Sequence, residues 1–186
     1  MILGDGYLDK NGSLKIRHCI KQKDYLEWKK KLLNKVGINT SDLVFIEKEG
    51  KQFYELSTYN HEFIKQMRKY VYCPYKNISN IKILKKLNSL GICIWYLDKG
   101  GLSYVKDKNN NIKKIYLSLN TMLSKDENQI IIDYFKNYWD ISFYQVKCKN
   151  KYNLRCGTNE AKKMIKIIKP YLKNVNSMNY KFNIIP

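Results

Sequence analysis

The sequence predicts an α+β fold made of two similar halves, because the order of its predicted elements occurs twice. Each half opens with an apolar segment that contains glycine and continues with strands, a helix, a hairpin and a second helix. Matching features stand roughly 95–105 residues apart, a period that suits a duplicated half-domain and is too long for a solenoid. With 44% hydrophobic residues, the 186-residue chain can bury a core.

The first half begins with Met1–Leu8 (MILGDGYL), which we expect to be the end of a helix stopped by Gly4 and Gly6. Alternation of apolar and polar residues in Leu14–Ile20 predicts a strand with one buried and one basic face. The remaining elements are a helix at Asp24–Val36, a hairpin of Leu43–Glu47 and Gln52–Thr58 around Glu49-Gly50, a helix from the cap Asn60 to Tyr72, and a connector, Cys73–Ser89, with a short helix at Ile81–Leu87.

The second half opens with Leu90–Leu102 (LGICIWYLDKGGL), whose apolar part, Leu90–Leu97, predicts a buried helix. The elements that follow are a loop at Lys106–Lys114, a strand at Ile115–Asn120, a helix at Lys125–Tyr138 capped by Ser124, a hairpin of Ile141–Lys147 and Tyr152–Cys156 around Lys149-Asn150, a helix at Glu160–Ile168 capped by Thr158 or Asn159 and stopped at Pro170, and a tail at Tyr171–Pro186. The predicted division is residues 1–75, a connector at 76–89, and residues 90–186.

The charge of the chain indicates a polyanionic partner. Lys and Arg number 35 against 16 Asp and Glu, a formal net charge of +19, and the lysines are spread along the whole chain. The alternative is a lysine-rich composition inherited from an AT-rich genome, since Asn, Ile and Tyr are also abundant.

Cysteine and histidine usage argues against a structural zinc site and against a disulfide framework. The chain has two histidines and five cysteines without a CxxC pair, and this usage fits a reducing compartment. The cysteines are Cys19, Cys73, Cys93, Cys148 and Cys156. We expect no membrane span, because no segment reaches about 20 apolar residues, and no signal peptide.

In each apolar segment a polar residue stands next to glycine: Asp5 in the first segment and Lys99 in the second. Small residues allow two helices to approach closely. Two carboxylates brought together in this way would hold Mg²⁺ between them. The alternative is two ordinary core helices with polar ends.

Together these segments resemble the paired motifs of the LAGLIDADG homing endonucleases, most closely the single-chain type of mitochondrial introns. Further similarity lies in LKIRHCIKQKDYLEWKKKLL, LSLNTMLSKDENQIIIDYF and IIKPYLKNVNSMNYKF. The resemblance implies two pseudo-symmetric αββαββα halves that form a saddle of antiparallel sheets over DNA, with the two motif helices at the axis. It also implies a monomer with internal twofold pseudo-symmetry, encoded in and located in the mitochondrion.

The resemblance also implies a reaction site for metal-dependent phosphodiester hydrolysis. Asp5 matches the first metal-binding acid, and Lys76 and Lys181 match the lysines that polarise water or neutralise phosphate, although the proline that usually follows the first lysine is absent. Lys99 stands where the second acid is expected, and Asp98 lies one position earlier. The second motif is therefore degenerate, and Mg²⁺ is the expected cofactor only if the chain is catalytically active.

Strands that enter the major groove would read DNA with their polar faces. A solvated sheet face is the alternative interpretation of the same residues. The candidate nucleic-acid contacts are Lys15, Arg17, Lys21, Gln52, Tyr54, Lys113, Tyr116, Lys147, Lys149, Lys151 and Arg155.

The sequence leaves three functions open, and we rank them from the most to the least favoured. The first is a nucleic-acid-binding protein with a degenerate site, repurposed for RNA as a component of an organellar ribosome or as an intron maturase or splicing factor. The second is an active Mg²⁺-dependent, site-specific DNA endonuclease or nickase. The third is a structural module held in a larger assembly by protein contacts. Residual nicking and the choice between DNA and RNA are left open by the sequence.

Overall fold

Two four-stranded antiparallel sheets with helices packed against them give the chain an α+β architecture. The computed structural model describes residues 1–72 and 75–182. These fall into two units: unit 1 holds Met1–Asn77 and Leu172–Asn179, and unit 2 holds Ile78–Tyr171 and the chain from Tyr180 on. The predicted division follows chain order, whereas in the structure Leu172–Asn179 lies with unit 1. No helix of the described ranges is long and apolar enough to cross a membrane.

The sheet of unit 1 has the strand order β1-β2-β4-β3. Its strands are β1 (Tyr7–Leu8), β2 (Leu14–Cys19), β3 (Val44–Lys48) and β4 (Lys51–Ser57). Residues alternate between buried and exposed along β2, which confirms the predicted two-faced strand. The turn between β3 and β4 is Glu49-Gly50, as predicted, with φ of 53° and 68°.

The described residues up to Tyr72 form the helices α1 (Lys23–Lys35) and α2 (Glu62–Val71) and a 3-10 turn at Ile20–Gln22. The buried face of α1 contains Tyr25, Leu26, Lys29 and Leu33. The predicted cap of α2 was Asn60, but the cap is His61, whose side chain accepts the Phe63 N–H at 3.2 Å.

The sheet of unit 2 repeats this order as β5-β6-β8-β7. Its strands are β5 (Gly100–Lys106), β6 (Ile112–Leu123), β7 (Tyr144–Cys148) and β8 (Lys151–Cys156). The predicted hairpin turn at Lys149-Asn150 is confirmed. The predicted loop at Lys106–Lys114 is wrong in extent, because strand pairing continues to Lys106 and resumes at Ile112. Its turn is held by the Asp107 carboxylate, which accepts the backbone N–H groups of Asn109 and Asn111.

Four helices complete unit 2: α3 (Ile81–Leu84), α4 (Ser89–Lys99), α5 (Lys125–Trp139) and α6 (Thr158–Ile168). Residues Ile92 to Leu97 of α4 are all buried, which confirms the apolar run as a core helix. Ser124 caps α5 in a capping box with Glu127, as predicted for Ser124. The cap of α6 is Gly157 rather than Thr158 or Asn159. Two 3-10 turns, Lys169–Asn174 and Asn176–Lys181, follow α6.

The predicted helix at Met1–Leu8 is wrong. Its residues form a turn in which the Gly4 and Gly6 N–H groups both donate to the Met1 carbonyl at 3.1 Å. A Cβ on Gly6 would lie 2.9 Å from that carbonyl oxygen, so this close approach requires glycine. Tyr7 and Leu8 then pair with β2, so their backbone N–H and C=O groups bond across the sheet and not within a helix.

The same topology in both sheets confirms the predicted internal repeat, although the described residues before β1 form a turn where α4 precedes β5. The resemblance extends to single hydrogen bonds. Thr58 Oγ1 accepts the Leu14 N–H at 2.9 Å, and Thr158 Oγ1 accepts the Ile115 N–H at 3.0 Å. Cys73, which the cysteine count includes, lies outside the described residues, as do the last four residues of the predicted tail. Cys19, Cys93, Cys148 and Cys156 are free thiols.

Candidate functional site

The turn that carries Asp5 is held by a lysine. Lys76 Nζ donates to the carbonyls of Gly4 and Gly6, at 2.9 and 2.8 Å, so the ammonium hydrogen-bonds to the backbone on both sides of Asp5. A lysine ammonium has three N–H donors and no acceptor, and two of the three are committed to this turn. Lys76 is therefore tied to the segment that presents the candidate metal ligand.

A second lysine makes the corresponding contact in unit 2. Lys181 is 8% exposed, and its Nζ donates to the carbonyls of Leu97 at 2.5 Å and Gly100 at 2.8 Å. These oxygens lie at the end of α4, where helix carbonyls lack partners within the helix and carry partial negative charge. The Tyr96 hydroxyl donates to the Lys181 carbonyl at 2.9 Å, and burial raises the pKa of this tyrosine.

We call these two arrangements the lysine clamps. In unit 1 the clamped carbonyls flank Asp5, and in unit 2 they enclose the pair Asp98 and Lys99. Both Asp98 and Lys99 are partly exposed, and Lys99 is the last residue of α4. The side chain presented between the clamped carbonyls is thus a carboxylate in unit 1, and a carboxylate followed by an ammonium in unit 2.

Asp5 has a neighbour that the sequence reasoning missed. His18 Nδ1 lies 4.0 Å from Asp5 Oδ2, and His18 Nε2 lies 2.9 Å from Lys29 Nζ. Lys29 is fully buried, with its ammonium 4.2 Å from the centre of the Tyr25 ring. The signal was present in the sequence, because Lys29 stands one helical turn after Tyr25 on the apolar face of α1.

The residues of unit 1 suit a hard divalent cation. Mg²⁺ prefers oxygen ligands and is commonly held by one or two carboxylates while it keeps several waters. The Asp5 side chain is 27% exposed, so its carboxylate is accessible to an ion. The Gly4 and Gly6 carbonyls point instead at the Lys76 ammonium, which leaves Asp5 as the metal-binding candidate of this turn.

The outer face of the unit 1 sheet carries Lys15 and Arg17, both exposed on β2. Arg17 donates through Nε and Nη2 to Glu55 Oε2, at 3.2 and 2.7 Å, so its charge is partly offset. Tyr54 pairs directly with His18 of β2, and cross-strand partners share a face. Tyr54 and, by alternation, Gln52 therefore lie on the opposite face from Lys15 and Arg17. Lys21 lies in the exposed 3-10 turn after β2.

In unit 2 the fold brings Arg155 and Tyr116 together. The Arg155 guanidinium carbon lies 5.7 Å from the centre of the Tyr116 ring, and its Nε donates to Ser118 Oγ at 3.4 Å. Tyr144 pairs with Arg155 from β7 and adds an exposed aromatic ring that sequence reasoning missed. The remaining predicted contacts are all exposed: Lys113 near the start of β6, and Lys147, Lys149 and Lys151 around the β7–β8 turn.

Comparison with known proteins identifies a family and a similar protein. Residues 1–164 match the model of the LAGLIDADG DNA endonuclease family. Probable intron-encoded DNA endonuclease 3 of Mycosarcoma maydis is 31% identical over 107 residues, which are 57% of this chain and 71% of that protein.

Two solved structures share the fold. The structure of the homing endonuclease I-WcaI bound to its DNA recognition sequence aligns with 99% of this chain and over 82% of the I-WcaI chain, with 21% sequence identity and a TM-score of 0.79. The LAGLIDADG homing endonuclease I-GzeII in complex with its DNA target matches 96% of this chain and 82% of its own, with 12% identity and a TM-score of 0.51.

Proposed function

This chain belongs to the LAGLIDADG DNA endonuclease family, and from that membership we propose that it binds double-stranded DNA and has an asymmetric reaction site. The observation that carries the proposal is the difference between the two lysine clamps. The clamp of unit 1 presents Asp5 alone, whereas that of unit 2 presents Lys99 at the position of the expected acid. We propose that such a site nicks one DNA strand at most.

The outer sheet faces support DNA binding. Each sheet exposes cations on its strands, and unit 2 adds the Arg155–Tyr116 pair. The formal charge of +19 supplies the phosphate attraction that dominates affinity for nucleic acids. The matched homing endonucleases I-WcaI and I-GzeII have DNA bound in their structures, and this supports duplex DNA as the proposed ligand.

Asp5 and the clamp lysines support the asymmetric chemistry. A divalent cation, when bound, stabilises charge on the scissile phosphate and activates water. Asp5 would hold that cation, and Lys76 would keep the turn in place through its two carbonyl contacts. In unit 2, an ammonium at Lys99 would repel a second cation, which leaves Asp98 as the remaining carboxylate of that clamp.

Incubation with a library of long DNA targets carried on supercoiled plasmids, in Mg²⁺ or Mn²⁺, tests the proposal. We expect the natural chain to convert supercoiled plasmid to nicked circles, the Asp5→Asn variant to leave it uncut, and the Lys99→Asp variant to give linear product. Linear product from the natural chain would contradict the asymmetry. Nicking that survives Asp5→Asn would show that this carboxylate holds no essential metal.

A second candidate function is RNA binding by a site that has lost cleavage, as an organellar ribosome component or a splicing factor. The observation that favours it is Lys99 at the acid position, together with exposed tyrosines such as Tyr59 (64%) and Tyr75 (83%), which suit stacking on unpaired bases. The similar protein of Mycosarcoma maydis is intron-encoded by name, which supports an organellar origin. Competition between structured RNA and duplex DNA at one salt concentration separates the two candidates.

A further inference from the structure

We propose that His18 and Lys29 are positioning residues for Asp5: Lys29 holds the His18 ring so that its Nδ1–H faces the Asp5 carboxylate. The inference rests on the proposed function, in which that carboxylate holds a divalent cation. Both side chains are buried, and neither has a role in the proposed function described above.

The starting observation is the burial of Lys29, which has no exposed surface. Lysine is almost never fully buried unless it is paired, because removing its charge from water is costly. The contacts that offset this cost include His18 Nε2, 2.9 Å from Nζ, and the Tyr25 ring, whose centre lies 4.2 Å from Nζ and whose π-system attracts a cation. A charged Lys29 therefore fits its surroundings.

The charge on Lys29 determines the tautomer of His18. An ammonium has only donors, so a contact at 2.9 Å requires that Nε2 accept. The ring proton of a neutral imidazole must then sit on Nδ1, the atom that lies 4.0 Å from Asp5 Oδ2. The ring cannot turn freely, because His18 is 7% exposed and its centre lies 5.0 Å from that of Tyr25.

Unit 2 offers a neutral counterpart between sheet and helix. Thr121 of β6 donates to Asn128 Oδ1 of α5 at 2.7 Å, and Asn128 Nδ2 donates to the Tyr152 carbonyl at 3.0 Å. This chain of hydrogen bonds therefore ends at a backbone carbonyl of β8. The contact in unit 1 is instead cationic and reaches the motif acid, so it has a consequence for Asp5 beyond packing.

Because 4.0 Å is longer than a hydrogen bond, the His18 ring would close on the Asp5 carboxylate when that carboxylate holds a cation, as hydrogen-bonding partners behind metal ligands do. Loss of such a partner typically lowers metal affinity or activity by about 10- to 100-fold. We expect losses in this range when Lys29 or His18 no longer supports Asp5. His18 and Lys29 touch neither metal nor substrate in this scheme.

Nitrogen-15 NMR of the full chain labelled at histidine tests the tautomer directly. The chain has two histidines, and His61 is an internal control because its Nδ1 accepts the Phe63 N–H, which places its proton on Nε2. We expect opposite tautomers for His18 and His61, assigned with His61→Gln. Lys29→Met should shift His18 away from the Nδ1–H form and leave His61 unchanged. An Nε2–H form of His18 in the natural chain, or no response to Lys29→Met, would overturn the proposal.

Titration with Mn²⁺, followed as paramagnetic broadening of the same signals, separates this inference from the proposed function. We expect His18 to broaden at lower Mn²⁺ than His61, and Asp5→Asn to abolish that difference. Equal broadening in the natural chain would refute metal binding at Asp5 and leave the tautomer result standing. An unchanged Mn²⁺ midpoint in Lys29→Met would refute the positioning role.

The double variant His18→Phe with Lys29→Met keeps the test valid if a single variant does not fold. Replacing both partners of a buried polar pair with apolar groups of similar shape is often close to neutral for stability. The double variant has lost the His18 signal, so its Mn²⁺ midpoint and that of the natural chain are read from the backbone amide of Gly6, next to Asp5. It should fold and still raise that midpoint about 10- to 100-fold. A folded double variant with the natural midpoint would contradict the proposal.

Discussion

At the scale of single residues, the two clamp lysines have a structural role beside the functional role proposed for them. Each satisfies two backbone carbonyls of the segment that presents the reaction-site residue. A change to either lysine therefore alters the backbone of the motif as well as the charge of the site. Activity measurements on such variants need a stability measurement beside them.

Lys181→Met should lower the free energy of unfolding by about 1–3 kcal/mol, because it leaves buried carbonyls of Leu97 and Gly100 without their donor. Urea denaturation followed by circular dichroism measures the change. Lys166→Met, on the exposed face of α6, is the matched control and should change little. Equal effects of the two substitutions would argue against the clamp in unit 2.

Arg17 offers a second prediction at this scale, since its guanidinium is held by Glu55. Glu55→Gln should strengthen DNA binding several-fold, because it removes an acid from the outer sheet face and releases Arg17 for phosphate. Fluorescence anisotropy with labelled duplex DNA measures the affinity. Glu27→Gln removes the same charge from the exposed face of α1 and is the matched control. A similar gain from both variants would indicate a general charge effect.

At the scale of elements, the motif turn of unit 1 depends on the absence of a side chain at Gly6. A Cβ at this position would meet Leu14 Cδ1 and the Met1 carbonyl oxygen, both at 2.9 Å. Gly6→Ala should therefore displace β1 and lower stability by at least about 1 kcal/mol. Thermal unfolding tests this against Gly101→Ala, where a Cβ has no neighbour within 4 Å. Equal melting temperatures would contradict the close contact.

The start of α5 gives a prediction with a pH dependence. Hydrogen bonds from Ser124 lower the pKa of Glu127, so the folded state favours the ionised carboxylate. The resulting stabilisation is complete above the ordinary glutamate pKa of 4.5 and is lost as the pH falls through the lowered folded-state value. Ser124→Ala should therefore cost about 1 kcal/mol at pH 7.

That cost should shrink at a pH well below 4.5, as Glu127 in the folded state takes up a proton. Denaturant midpoints of the natural chain and the variant at the two pH values measure the difference. Ser103→Ala, at an exposed position of β5, controls for loss of a serine hydroxyl alone. A cost that does not vary with pH would show that the carboxylate takes no part in the cap.

At the scale of the whole molecule, we expect the excess of cations to govern the proposed association with nucleic acid. Binding that neutralises many phosphates should weaken by about 10³- to 10⁵-fold between 50 and 200 mM salt. A salt series of anisotropy titrations measures the slope, and Lys15→Ala should reduce its magnitude by about one. A flat salt dependence would refute phosphate tracking and favour a module held by protein contacts.

The repeated topology was predictable because local patterns of residues that predict strands, helices and turns occur in the same order in each half. Alternation gave β2, the apolar run gave α4, and Ser124 marked the start of α5. The opening segment was predicted wrongly as a helix, since its pairing partner β2 is not visible in its own residues. The extension of β5 and β6 was missed for the same reason, because Lys and Asn favour loops until cross-strand bonds outweigh local preference.

By itself, the sequence determined the fold class, the family resemblance and the unequal motif residues Asp5 and Lys99, because these depend on residue type and order. Tertiary structure alone decided which atoms meet. It placed Lys76 and Lys181 on motif carbonyls and set Tyr54 on the opposite face from Arg17. It also placed His18 between Lys29 and Asp5. Contacts between residues far apart in the chain arise from packing and strand register, which no local pattern of residues records.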